Sequence, residues 1–179
     1  LHTGLKQIGL DSAMFVRWRT GDNPAVIEYA PSKRLLHRLQ RRVRRTQINH
    51  TINRYASSVP AGFELFSSHR TEYGDDLVTQ LPQGEIVNLH WITDFVDWHT
   101  SLSRLCNRGP VVWTQHDMNI MTGGCHYDAD CRRFRSGCGA CPQLGSHDQF
   151  DLAAKLWREK QAILERIPSH LLHLVTPSR

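Results

Sequence analysis

Apolar residues along this chain occur either in short continuous runs or at intervals of three and four positions. The run at 85–92 is typical of a strand covered on both faces, because such strands lose the apolar–polar alternation of half-buried ones, and shorter runs at 111–115 and 172–176 predict two further strands. The helical intervals at 94–106 and 150–167 predict helices that each bury one face. Strand, helix, strand is the repeating unit of a parallel sheet, so the pattern predicts an α/β fold.

The first third of the chain follows the same rhythm less regularly. Residues 1–8 predict a helix that ends at Gly9, and 47–62 mix Asn, Ser and Pro without periodicity, as in an irregular or partly helical connector. Short strands are predicted at 12–16, 26–29 and 63–67. The 179 residues contain no repeat, and we expect one domain, residues 1–179, built on a doubly wound and mostly parallel sheet with a cysteine-rich loop insertion.

Positive charge is concentrated in one predicted helix, residues 33–45. The chain has a net charge of +5, and this segment holds seven basic residues and no acid. Leu35, Leu36, Leu39 and Val43 add a narrow apolar stripe at helical spacing. Such a helix suits the surface of an anionic membrane, or it is an outer helix whose apolar stripe packs on the sheet. Binding of nucleic acid is the least favoured interpretation.

Polar side chains lie at the ends of three predicted strands. They are His90 on the first strand, His116 and Asp117 after the second, and Ser178 after the third. Because the carboxyl ends of parallel strands open on one edge of a sheet, we expect these residues to converge at a ligand-binding rim. Strand alternation directs His90 and Trp91 to opposite sides, so His90 is expected at the rim and Trp91 in the core.

The residues around and after His116 allow more than one interpretation. His116 either serves the rim or is a strand-end histidine that bonds a backbone carbonyl. Asp117 either orients His116 or caps its own loop. Thr122, Gly123 and Gly124 offer backbone N–H groups that a polar ligand can approach closely, although glycine pairs are also common in plain turns.

Four cysteines follow in the same loop with the spacing C-x5-C-x6-C-x2-C. They are Cys125, Cys131, Cys138 and Cys141. Four thiolates suit a structural zinc ion, and a long loop with little apolar content gains stability from such a metal. Two disulfides, four free thiols, or a zinc site in which His126 replaces one sulfur are the alternatives. Redox catalysis by the C-x2-C pair is not favoured, because no strand leads directly into a helix at this pair.

Cys106 makes the cysteine count odd, and Leu1 does not open an export signal. No apolar segment is long enough for a membrane-spanning helix. These features favour a reducing compartment and predict a cytoplasmic protein. The basic helix would hold such a protein peripherally on the inner face of the membrane.

Taken in order, these motifs resemble the N-terminal domain of family-4 retaining glycosyltransferases of the GT-B architecture. The resemblance is carried by His90-Trp91-Ile92, Pro110 to Met118, Thr122 to Tyr127, Cys131, Cys138 to Leu144, Asp151, Lys160 and Val175 to Arg179. The chain departs from the family at Asn119-Ile120-Met121, where Trp-Pro-Phe is usual. This departure predicts an altered wall toward the acceptor.

The resemblance implies a Rossmann-like half of an enzyme that moves a sugar from a nucleotide-sugar donor to a polysaccharide or lipid-linked acceptor. His116 and Asp117 would be the catalytic residues, with His116 positioning the donor sugar, its phosphate and the acceptor. The substrate-binding residues would be His90, Thr122, Gly123, Gly124, His126 and Ser178.

The same resemblance places the first strand of the sheet and the donor-binding C-terminal domain outside residues 1–179, so this stretch alone is expected to be inactive. The alternative function is that of a binding module without catalysis. In that interpretation a zinc-stapled basic α/β domain contacts a membrane or nucleic acid.

Overall fold

A computed structural model describes residues 1–63, 66–74 and 76–177. Its strands form two parallel sheets. The smaller sheet pairs β1 (Met14–Val16) with β2 (Val26–Glu28), and the larger has the order β3 (Val87–His90), β4 (Val111–Thr114) and β5 (Leu172–Val175). The α/β class and the parallel strand direction are therefore confirmed.

One helix precedes the first strand, and the others lie between strands along the chain. They are α1 (His2–Gln7), α2 (Leu35–Asn53), α3 (Asp76–Gln80), α4 (Ser103–Cys106) and α5 (Leu152–Leu164). A π-helical turn, Trp98–Leu102, leads directly into α4. Two short 3-10 turns, Arg133–Arg135 and Pro142–Leu144, lie in the cysteine loop.

The strand β4 is the centre of the larger sheet. Val111 pairs with Val87 on one side and Leu172 on the other, and the three strands run in the same register to their carboxyl ends. Val111 and Trp113 are buried, and Leu102 and Leu105 pack in the same core. The expectation that the strand at 85–92 is covered on both faces is wrong, because β3 buries Leu89 but leaves Asn88 and His90 exposed.

Three predicted boundaries in the middle of the chain differ from the structure. The connector predicted at 47–62 begins as helix, because α2 continues to Asn53. The strand predicted at 63–67 is reduced to one antiparallel bridge between Phe66 and Cys125, and residues 64–65 lie outside the described residues. The helix predicted at 94–106 starts at Trp98, because the buried Asp97 side chain caps it by accepting from the Thr100 N–H.

The helix α2 has no buried residue along its length. Its last turn is anchored to the body, where the Leu152 N–H donates to the Tyr55 hydroxyl just beyond the helix. Its apolar stripe is uncovered: Leu35, Leu36, Leu39 and Val43 are 81, 63, 57 and 47% exposed. The interpretation in which this stripe packs on the sheet is therefore wrong, because no part of either sheet covers it.

None of the helices in residues 1–63, 66–74 and 76–177 combines the length and apolar character needed to cross a bilayer.

Candidate functional site

The carboxyl ends of β3 and β4 bring two histidines into contact. His90 stands opposite Thr114 in the register of the sheet, and His116 follows two residues later. The Nδ1 atom of His90 lies 2.9 Å from the Nε2 atom of His116, and both side chains are exposed. A hydrogen bond between two ring nitrogens needs one donor and one acceptor, so one proton lies between the two rings.

His90 of this pair takes up a proton less readily than a free histidine. Partial burial, and then the positive charge that His116 can carry, lower the pKa of His90 below its usual value of 6.5. With both rings neutral, the pair presents one hydrogen-bond donor and one acceptor to the solvent-facing side of the rim. Such a pair can exchange a proton with a bound hydroxyl group.

Asp117 contacts His126 and not His116. One carboxylate oxygen lies 2.5 Å from His126 Nδ1, and the other accepts the backbone N–H of Asn119 at 2.8 Å. The loop-capping interpretation of Asp117 agrees with this geometry. The interpretation in which Asp117 orients His116 through a hydrogen bond is wrong, because the Asp117 carboxylate bonds Asn119 and His126 while the His116 ring pairs with His90.

The contact between Asp117 and His126 continues to Ser67. The Nε2 atom of His126 lies 2.8 Å from Ser67 Oγ, which also accepts a hydrogen bond from Asn119 Nδ2 at 3.2 Å. Since a carboxylate only accepts, His126 donates from Nδ1, and with the ring neutral its Nε2 accepts a hydrogen bond from the Ser67 hydroxyl. The order Ser–His–Asp is that of a hydrolase triad, but Ser67 and His126 are buried, so the chain of bonds positions Asp117 and does not attack a substrate.

Sequence reasoning missed Ser67 entirely. It precedes His126 by 59 positions and lies in a segment whose pattern predicts an ordinary strand. A hydrogen bond between residues so far apart leaves no periodic signal in the sequence. The antiparallel bridge between Phe66 and Cys125 and the hydrogen bond from the Ser67 N–H to the Gly124 carbonyl hold this segment beside the loop.

The turn formed by Thr122, Gly123 and Gly124 is buried beneath the rim. The Gly123 N–H donates to Cys138 Sγ at 3.2 Å, and the Gly124 N–H donates to Thr122 Oγ1 at 3.3 Å. A Cβ atom at Gly123 would lie 2.2 Å from the Ala153 carbonyl oxygen of α5. The glycines therefore serve close backbone packing, and their N–H groups are not open to a ligand.

Lys160 on α5 is fully buried beside this turn. Its ammonium group donates to the Asn119 carbonyl and side-chain oxygens at 2.6 and 2.9 Å and to the Thr122 carbonyl oxygen at 3.3 Å. Burial lowers the pKa of Lys160 to about 7, although Cys125, Cys138 and Asp117 act in the opposite direction. Neither composition nor spacing singles out this lysine in the sequence, where it stands out only as part of the motif that resembles glycosyltransferases.

The four loop cysteines line a single apolar cavity of about 20 Å³. They are Cys125, Cys131, Cys138 and Cys141, and none of them is disulfide-bonded. Burial raises the pKa of the Cys138 thiol to about 12 and that of Cys141 to about 11, so these thiols are protonated at neutral pH. Cys106 lies apart, in the core around the larger sheet.

Within the described ranges, no group of three or more His, Cys, Asp or Glu side chains stands ready to hold a metal ion. His126 is also unsuited to replace a sulfur ligand. Both of its ring nitrogens are already bonded, to Asp117 and to Ser67.

Trp91 is exposed at the rim, so its predicted core position is wrong. The strand β3 ends at His90, and Trp91 adopts a left-handed backbone conformation with φ +38°, which breaks the alternation of the strand. Its side chain is 52% exposed.

A cavity of about 20 Å³ at this rim is lined by Trp91, Thr93, Gln115, His116 and Asp117, among others. Ser178, the remaining predicted rim residue, lies outside the described residues.

Comparisons with protein-family models, with curated proteins and with solved structures gave no match for this chain.

Replacing His116 by Ala is expected to raise the pKa of His90 part of the way to 6.5, because burial persists while the charge of His116 is lost. NMR titration of the His90 ring protons measures this shift, with His147→Ala, an exposed histidine elsewhere, as control. His90 takes up a proton more readily in the unfolded chain than in the folded protein, where its pKa lies below 6.5. The free energy of unfolding therefore decreases as the pH falls below 6.5. An unchanged or lower pKa in His116→Ala would contradict the coupling.

Proposed function

We propose that this chain is the acceptor-side domain of a retaining glycosyltransferase. In this proposal its parallel strands belong to the doubly wound, mostly parallel sheet of one GT-B half. The observation that supports the proposal is the proton-sharing pair of His90 and His116 at the carboxyl ends of adjacent parallel strands, where α/β sheets bind their ligands. The nucleotide-sugar donor would be bound mainly by a second domain.

Glycosyl transfer requires groups that such a pair offers. The bond between the anomeric carbon and the donor phosphate breaks, the acceptor hydroxyl oxygen bonds to that carbon, and the hydroxyl proton leaves. Positive charge develops on the sugar and negative charge on the departing phosphate. An imidazole pair that shares one proton supplies an acceptor for the hydroxyl and a donor for a phosphate oxygen.

In this proposal His116 is the group nearest the reacting atoms, and His90 fixes which of its nitrogens carries the proton. Asp117 holds the loop after β4 in shape through His126 and Asn119. The acceptor would be a polysaccharide or a lipid-linked glycan, as the resemblance implies. The buried Thr122, Gly123, Gly124 and His126 would support the rim from beneath, without touching substrate.

His116→Ala in the full-length gene product is expected to lower sugar-transfer turnover by about 100-fold or more, the effect of losing one positioned electrostatic group. Its free energy of unfolding should change by less than about 0.5 kcal/mol, because the side chain is exposed. Turnover is measured with a panel of nucleotide sugars, and His147→Ala is the matched control. Equal losses of stability and turnover would make His116 a structural residue, and measurable transfer by residues 1–179 alone would contradict the two-domain proposal.

A second function is favoured by the uncovered stripe of α2. We propose that this helix binds the anionic surface of a membrane, so that the protein is peripheral on the cytoplasmic face. Exposed leucines at Leu35, Leu36 and Leu39 adjoin a row of arginines, which is the surface chemistry of helices that lie in a lipid interface. Membrane contact would bring the rim to a lipid-linked acceptor, but it also suits a binding module without catalysis.

Changing Arg41, Arg42, Arg44 and Arg45 together to Gln is expected to weaken binding to phosphatidylserine vesicles by up to about a thousandfold at low salt, since each surface charge contributes about 1 kcal/mol. The salt dependence of vesicle binding should fall with it. The same charge change at exposed arginines elsewhere, Arg19, Arg132, Arg135 and Arg166, is the matched control.

The apolar half of this proposal is tested separately. Leu36→Ser with Leu39→Ser should reduce vesicle binding even at high salt, where charge attraction is screened. Equal partition of all these variants to anionic vesicles would contradict the membrane proposal. Tight binding to duplex DNA without vesicle binding would favour nucleic acid instead.

We also propose that the cysteine loop binds one structural zinc ion. The four thiols already line one cavity, and the Gly123 N–H points at Cys138 Sγ, a contact that stabilises a thiolate. Gly139 and Ala140 lie in left-handed conformations between the last two cysteines, which forms a tight turn. Metal binding would displace the thiol protons and draw the four sulfurs together.

Elemental analysis of protein purified without chelators is expected to find about one zinc ion per chain, as in a four-thiolate site. Cys138→Ser should release the metal and lower the melting temperature, because the zinc ion loses one of its four ligands. Cys106→Ser, outside the loop, should retain the zinc. Absence of zinc, together with four freely titratable thiols or two disulfides by mass spectrometry, would show that the loop is not a metal site.

A further inference from the structure

Trp91 combines an exposed ring with an unfavourable backbone conformation. A bulky side chain at φ +38° is strained, and such strain persists only where the surrounding structure enforces it. Burial of the indole ring does not offset that strain fully, because the side chain is 52% exposed. Strained residues of this kind concentrate at functional sites, where the backbone conformation holds the side chain in the position that the function requires.

One face of the Trp91 ring is fixed by packing. It stacks on the His126 ring with centroids 5.2 Å apart and an interplanar angle of 29°. His126 cannot turn away, because Asp117 holds one ring nitrogen and Ser67 the other. The indole therefore lies on a rigid, buried support and turns its exposed surface toward the rim.

The surroundings of that exposed surface suit a sugar. Trp91 lines the same cavity as His116, and Thr93 and Gln115 add a hydroxyl and an amide to its wall. A pyranose ring has a face of C–H groups, which stacks on an indole, and an edge of hydroxyl groups, which needs donors and acceptors beside that indole. The cavity itself is only about 20 Å³, so a pyranose ring would lie over its opening, on the exposed part of the indole.

We propose that Trp91 is the stacking platform for the pyranose ring of the acceptor glycan. This inference rests on the proposed glycosyltransferase function, to which it adds a residue that recognises the acceptor. With the ring against Trp91, a hydroxyl at the sugar's edge lies toward His116, the group that would receive its proton. The residue thus determines which face of the acceptor sugar is presented.

The test uses methyl α-glycosides of glucose, galactose and mannose as probes, followed through the indole N–H signals of the chain in NMR titrations. The signal of Trp91 is assigned by its loss in Trp91→Phe. Trp91→Ala is expected to bind the preferred glycoside about tenfold more weakly, while Trp91→Phe, which keeps an aromatic face, stays within about threefold of the wild type.

Stability measurements separate the platform from a structural role. Trp91→Gly should melt at a higher temperature than Trp91→Ala, because glycine adopts a left-handed conformation without strain. Both variants should lose glycoside binding alike. A glycine variant that is the less stable of the two would show that the backbone at this position is not strained.

Equal glycoside binding by the wild type and Trp91→Ala, or no binding to the wild type, would overturn the inference. So would Trp91-dependent binding of uridine without binding of glycosides, since the ring would then stack a nucleobase. The transfer assay with His116→Ala judges the proposed function separately. Trp91-dependent glycoside binding without any transfer would support the platform and overturn the transferase.

Discussion

The buried ammonium group of Lys160 joins α5 to the loop that follows β4, and the rest of the rim depends on this contact. Its three hydrogen bonds go to oxygens of Asn119 and Thr122, both of which are buried residues. An unpaired buried oxygen costs about 1–3 kcal/mol, so these bonds fix the loop against the helix. Burial lowers the pKa of Lys160 to about 7, and the loop oxygens are the partners that keep its charge tolerable near neutral pH.

Above Lys160, four polar side chains close into a ring of hydrogen bonds. Asn119 donates to Ser67 through its side chain and to Asp117 through its backbone, and His126 links Ser67 to Asp117. A buried polar network that is satisfied throughout makes a structure unique and rigid, whereas one lost member leaves the others unpaired. The histidine pair and Trp91 therefore lie on a rigid part of the structure, the hydrogen-bonded network that forms when the chain folds.

The main elements of this fold were predictable because their signals are local. Continuous apolar runs predicted the three strands of the larger sheet, and parallel pairing then brought His90 to His116. Trp91 was misplaced because one left-handed residue ends the strand, and no period in the sequence marks such a residue. The stripe of α2 was ambiguous for another reason: helical spacing shows which residues share a face but not whether anything covers it. Ser67 and Lys160 act through contacts between distant segments, which composition and spacing do not encode.

The amide at Asn119 has a consequence for how this sequence can vary. The side-chain amide donates a hydrogen bond to Ser67, and its oxygen accepts one from Lys160. Aspartate at this position would lose the donor, and leucine would lose both the donor and the acceptor. A tryptophan at this position could not enter the ring of hydrogen bonds. The residues tolerated at position 119 are therefore limited by side chains 52 and 41 positions away in the sequence, those of Ser67 and Lys160.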